Sequence, residues 1–128
     1  MARVLDFSDG FTSASAPTAG SIFSTSGSQA SPNSVVAANG ITANGVGMQI
    51  FYMQGSGGAV DISANPQITA GTEVGALLIL IGTSDTNTVK IDDSNGLSIN
   101  GNFTMGNKDA LGLVWNGSVW SEVFRREE

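Results

Sequence analysis

The sequence predicts an all-β fold: short antiparallel strands in a compact sandwich, barrel or β-solenoid-like unit, preceded by an extended N-terminal arm. Short apolar stretches alternate with a period of two, as in Val89-Lys90-Ile91, Leu97-Ser98-Ile99 and Phe103-Thr104-Met105. That is the period of a half-buried strand. Asn-Gly occurs at 39–40, 44–45, 95–96, 100–101 and 116–117, and this pair favours two-residue hairpin turns because both residues tolerate positive φ. No window combines a helical period with capping residues.

Residues 1–34 make up the predicted arm. Val4, Leu5, Phe7 and Phe11 form an apolar cluster around Asp6 and Asp9. From Thr12 to Ser34 the chain is mostly Ser, Ala, Thr and Gly, broken by Ile22-Phe23 and carrying Pro17 and Pro32. A flexible tail accounts for the polar stretch. The two Phe side chains at its start favour an arm that becomes ordered on a partner.

Residues 35–128 make up the predicted β-domain. Met48 to Met53 has strand composition, and Gly55 to Gly58 is a turn. Val60 and Ile62 flank Asp61 in a short strand, and Gln67 to Glu73 reads as a loop after Pro66. Leu77-Leu78-Ile79-Leu80-Ile81 is apolar at every position, which predicts a strand buried on both faces. The segment Asp92 to Gly96 reads as a polar hairpin turn between Val89–Ile91 and Leu97–Ile99. Val114-Trp115 and Val119-Trp120 face each other across Asn116-Gly117-Ser118, and the last strand continues through Val123-Phe124.

Composition narrows the chemistry. The chain has 128 residues, no Cys and no His, so disulfides, thiolate metal sites and the commonest general base are excluded. Only 12% of residues are charged and the net charge is −6. The bases Arg3, Lys90, Lys108, Arg125 and Arg126 form no patch larger than the terminal pair, which argues against direct nucleic acid binding. A chain 41% hydrophobic and this poor in charge should fold. Its surface must then be covered by hydroxyls and amides. The apolar run from Ala76 to Ile81 is too short to span a bilayer. Asp6 stands where a signal peptide needs apolar residues, so synthesis in a cytoplasm without a cleaved signal is expected.

No catalytic constellation emerges. A Ser–Lys dyad would need Lys90 or Lys108, each set among polar turn residues where a solvated lysine is the ordinary state. The acids Asp61, Glu73, Asp85, Asp109 and Glu122 sit in separate segments, and only folding could pair them as a glycosidase requires. Asp92 to Gly96 lacks the alternating ligands and distant Glu of a calcium loop. The alternative of a weak Ca²⁺ site there stands beside the plain turn. The aromatics Phe51, Tyr52, Trp115 and Trp120 would serve either as packing or as a sugar-stacking platform. We therefore expect no enzyme, no cofactor and no metal. With only two lysines to guard its sheet edges, the domain is expected to cover edges and apolar faces with sister chains.

The stretch 68–125 resembles a module of tailed-bacteriophage virion proteins: fibre tips, head fibres and small capsid decoration proteins. The matching residues are Ile68-Thr69-Ala70-Gly71-Thr72, the strand Leu77–Ile81, Asn87-Thr88-Val89-Lys90-Ile91 and Leu97-Ser98-Ile99. They continue through Asn102-Phe103-Thr104-Met105-Gly106, Asp109-Ala110-Leu111-Gly112-Leu113 and the ending Trp115-Asn116-Gly117-Ser118-Val119-Trp120. The opening Leu5 to Phe11 is similar to an attachment segment of phage accessory proteins. The resemblance implies a trimer of β-structures lying side by side. It also implies a virion location and, as partner, the major capsid protein or another virion protein. The expected role is capsid decoration or a head fibre, docked through Val4, Leu5, Phe7 and Phe11. The alternative is a tail-fibre protein that binds host surface glycan, though the chain lacks the long shaft repeat of a receptor-binding fibre.

Overall fold

The computed structural model describes residues 34–128. The predicted attachment residues Val4, Leu5, Phe7 and Phe11, and nearly all of the 1–34 arm, lie outside the described residues. Nine strands and no helix are found among those described: β1 (Ser34–Val36), β2 (Met48–Gly55), β3 (Val60–Asp61), β4 (Leu77–Gly82), β5 (Val89–Ile91), β6 (Leu97–Ser98), β7 (Phe103–Met105), β8 (Ala110–Trp115) and β9 (Trp120–Arg126). They form a six-stranded sheet in the order β1-β2-β4-β8-β9-β6 and a three-stranded sheet in the order β3-β5-β7. The two sheets pack as a sandwich-like unit, and neither closes into a barrel.

The all-β expectation holds, but the strands are not uniformly antiparallel. β1 with β2, β2 with β4, β3 with β5 and β6 with β9 are parallel. Only β4 with β8, β5 with β7 and β8 with β9 are antiparallel. Parallel neighbours need a crossover between them: from β2 to β4 it runs through β3 and from β3 to β5 through β4, each in the opposite sheet, whereas β1 reaches β2 through residues 37–47 without entering the small sheet. Met48 pairs with Leu77 in the large sheet and Val60 with Val89 in the small one, the same step of 29 residues. The chain thus passes twice through both sheets before β7, β8 and β9 turn back against it.

Turn chemistry explains why hairpins were over-predicted. The glycines of all five Asn-Gly pairs have positive φ, yet only Asn116-Gly117 joins neighbouring antiparallel strands. There the Asn116 Oδ1 accepts the N–H groups of Ser118 and Val119 at 2.9 and 3.0 Å, and Trp115 sits opposite Trp120 as the sequence suggested. Asn95 (φ 47°) and Gly96 (φ 92°) form a tight turn closed by the Leu97 N–H on the Ser94 carbonyl. That turn does not make a hairpin of β5 and β6. It is a corner: β5 stays in the small sheet, and β6 crosses to pair with β9.

The core lies between the sheets. Leu78, Leu80, Leu111, Leu113 and Trp120 project from the large sheet onto Val89, Ile91, Phe103 and Met105 of the small one, all at most 2% exposed. Ile41, Ile62, Ile68 and Leu97 close the sides. Each such side chain contributes roughly 1.5–3 kcal/mol on burial. The segment 67–73, expected to be a plain loop, carries two interior residues, because Ile68 bridges to Ile41 in parallel and Gln67 is fully buried.

The outer face of the small sheet is polar. Asp61, Lys90 and Thr104 lie in one cross-strand row, and Lys90 Nζ reaches Asp61 at 3.0 Å and Asp92 at 2.9 Å. Asp92 first, and Asp61 second, raise the Lys90 pKa above its ordinary 10.5. The charged lysine is the form the fold favours. Its contribution is therefore complete below the unfolded pKa and is lost as pH rises through the raised one. The stability difference between wild type and Lys90→Met, read from urea midpoints, is expected to be flat from neutral pH to about 10 and to shrink above it. A gap that widens in alkali would contradict this.

Candidate functional site

Most of the groups weighed for chemistry from the sequence are occupied structurally. Asp93 accepts the Ile99 N–H at 2.9 Å, while its own N–H donates to the Asn102 side-chain oxygen. Together with the Lys90 pair this makes the Asp92–Gly96 segment a braced corner. Asp85 and Asp109, far apart in sequence, converge on one turn: Asp85 accepts the Asn107 N–H and Asp109 the Gly106 N–H, both at 2.8 Å. Asp109 also accepts the Glu128 N–H at 2.6 Å. These carboxylates cap a turn rather than face a cleft. No group of three or more acids placed to hold a metal ion occurs among the described residues, and no described helix is long and apolar enough to cross a membrane.

The aromatic platform does not form. Trp115 is 9% and Trp120 1% exposed. Their rings meet edge to face at 5.4 Å, and the Trp120 indole N–H donates to the Thr69 carbonyl at 3.0 Å. Phe51 packs against the core. Phe51 and Tyr52 are both half-buried, and of the four aromatics Tyr52 lies on the outer side of the large sheet.

That outer side is where the molecule departs from an ordinary surface. On β4 the inward residues Leu78 and Leu80 are buried, whereas Leu77, Ile79 and Ile81 point outward and are only half-buried. The expectation that this strand is buried on both faces is corrected among the described residues: one face has a layer over it and the other is half-buried, with none of the described chain over it. Strand register sets the outward side chains in three rows. The first is Met48, Leu77 and Val114, the second Ile50, Ile79 and Gly112, and the third Tyr52, Ile81 and Ala110. Phe124 pairs with Gly112 from β9, and its ring occupies the space a Cβ at Gly112 would take. Ile50 is 36% and Phe124 44% exposed. None of these positions carries a charge, in contrast to the Asp61–Lys90–Thr104 row on the opposite side of the sandwich; a charge enters at the β9 rim, where Arg126 pairs with Ala110 of the third row.

A shallow cleft lies at each end of this face. One is lined by Met48, Leu77, Glu73 and Val74, and Val74 is the most exposed large apolar residue described, at 73%. The other is lined by Tyr52, Ile81, Gly82 and Lys108. The scarcity of lysines to guard sheet edges predicts apolar faces in need of cover. The rows themselves could not be found from sequence, because they depend on parallel pairing between segments 29 residues apart.

No family model, no curated protein and no solved structure matches the chain.

Proposed function

We propose that this chain is a non-enzymatic structural protein of a tailed-bacteriophage virion, a capsid decoration (cement) or head-fibre protein. It binds the shell through residues 1–34, with Val4, Leu5, Phe7 and Phe11 as anchors, and it self-associates through the β-domain. Three chains side by side is the stoichiometry that the resemblance of residues 68–125 implies. The finer architecture we propose is a two-turn β-solenoid-like coil closed by the C-terminal hairpin. The repeated step of 29 residues in both sheets supports it.

The uncharged outer face of β2, β4 and β8, which none of the described residues covers, carries the reading. Apolar area left in water by one chain is area available to stabilise an assembly, at about 25 cal/mol per Å² before association costs. Patches of this kind on small domains mark interaction surfaces. Adhesion rather than reaction fits a surface with no convergent polar groups.

Deleting residues 1–12 is expected to leave the thermal unfolding of the β-domain unchanged and to abolish cosedimentation with virions or empty shells. Each anchoring Phe or Leu would contribute roughly 1.5–3 kcal/mol to attachment. A truncated protein that still decorates particles at wild-type occupancy would remove the arm from the account.

A further inference from the structure

We propose that the outer face of the six-stranded sheet is occupied by the same face of a second copy of this chain, related by a two-fold axis in the plane of contact and perpendicular to the strands. This rests on the self-association reading and replaces its three-fold stoichiometry with a two-fold one. The argument starts from the two ends of β4. Glu73 and Val74 lie just before the strand, in the cleft with Met48 and Leu77. Lys108 lies at its far end, where its N–H donates to the Gly82 carbonyl at 2.9 Å. An acid and a base therefore stand at opposite ends of one strand, with an uncharged apolar surface between them.

Both charges lack partners among the described residues. Lys108 is the one cation among the described residues that makes no ion pair, since Lys90, Arg125 and Arg126 are each matched to an acid. Glu73 makes neither an ion pair nor a side-chain hydrogen bond with the described residues. A two-fold interface must be self-complementary, with each patch carrying both halves of every contact. Rotation about an axis over Ile79 lays β4 antiparallel on its copy. It sets Ile79 near its own counterpart and brings Glu73 of each chain over Lys108 of the other. The same rotation aims Val74 at the cleft walled by Tyr52 and Ile81. An arrangement with strands parallel would set Glu73 against Glu73 and Lys108 against Lys108.

Area gives the end contacts their weight. Four strands about 4.8 Å apart, each about six residues long at ~3.3 Å per residue, make a flat face of about 400 Å². A stable interface uses about 800 Å² per partner. The flat face is roughly half of that, so its two ends must contribute, and the association should be sensitive to Glu73 and Lys108.

Sedimentation velocity of the full chain over a range of concentrations tests this, with circular dichroism as the control for folding. The expected species is a dimer or an even-numbered assembly. Glu73→Lys and Lys108→Glu should each weaken association at least tenfold. The double reversal, which restores opposite charges across the interface, should recover to within about threefold of wild type. A trimer, or a dimer indifferent to both reversals, overturns the two-fold pairing while leaving self-association intact. A monomer overturns both. A monomer that pairs only after residues 1–33 are removed assigns the face to the chain's own N-terminal residues and likewise overturns the proposal.

Discussion

Gln67→Leu is expected to cost about 3–5 kcal/mol of stability, a large share of the 5–15 kcal/mol that a domain of this size has. Gln67 is fully buried, and its side chain serves three backbone groups on the corner after β5. Nε2 donates to the Asp92 and Ser94 carbonyls at 2.9 and 2.7 Å, and Oε1 accepts the Asp92 N–H at 2.8 Å. Its own N–H donates to Asn95 O and its carbonyl accepts from Ile41 N–H, so one residue ties together three successive passes of the chain. Leucine fills the volume and serves none of the three groups. The Asp92 N–H is then left without a partner at about 1–3 kcal/mol, while the Asp92 and Ser94 carbonyls keep the Ser94 and Leu97 N–H groups and each lose a second bond worth about 0.5–1.5 kcal/mol, partly offset by leucine's apolar surface. The measurement is the urea midpoint at constant slope. Gln67→Glu should be at least as damaging, because a carboxylate would face the Asp92 and Ser94 carbonyls without a proton to offer. A Gln67→Leu protein within about 0.5 kcal/mol of wild type, the usual range for inconsequential substitutions, would show that these bonds are replaceable by water.

Gly82→Ala should be comparably severe, at about 3 kcal/mol or more, the upper range for forcing extra volume into a packed site. Gly82 ends β4, and a Cβ there would land on the Gly106 carbonyl oxygen. Both parties are backbone. The 106–109 turn is held against β4 by the Gly82 N–H on Asp109 O and the Lys108 N–H on Gly82 O, each at 2.9 Å. It is fixed again by the Asp85 and Asp109 carboxylates, so it has little room to yield. Gly57→Ala is the comparison. A Cβ there meets nothing within 4 Å, but the residue has φ +75°, a left-handed backbone that costs an L-residue about 1–2 kcal/mol. Thermal unfolding should rank Gly82→Ala clearly below Gly57→Ala, and equal midpoints would refute the steric argument. Because the displaced turn carries Lys108, the same substitution should also weaken self-association.

The candidate site was legible in kind but not in place. Leu77–Ile81 announced an apolar strand, and the scarcity of charge announced a surface that water alone would not cover well. Neither revealed that Ile50, Ile79 and Phe124 share one uncovered face. That needs the pairing of β2 with β4 and of β8 with β9. Trp115 and Trp120 were legible as a facing pair, because an Asn-Gly turn between them leaves few other registers. That their rings lie in the core with the Thr69 carbonyl as partner was not, since Thr69 is 51 residues from Trp120.

Local chemistry settled what local chemistry controls. Two-residue alternation marked β5, β6 and β7, unbroken apolarity marked β4, and glycines after asparagine marked the positive-φ corners, because each depends on a residue and its immediate neighbours. The direction of pairing was decided only by the folded whole. An Asn-Gly corner reverses the chain equally well within a sheet or between sheets, and the burial of Gln67, Ile68 and Leu97 selected the second path at Asn95-Gly96. That corner sends β6 to its parallel pairing with β9, and three further parallel pairings elsewhere replace the expected run of hairpins. Together these pairings left one polar outer face and one apolar face with nothing of the described chain over it.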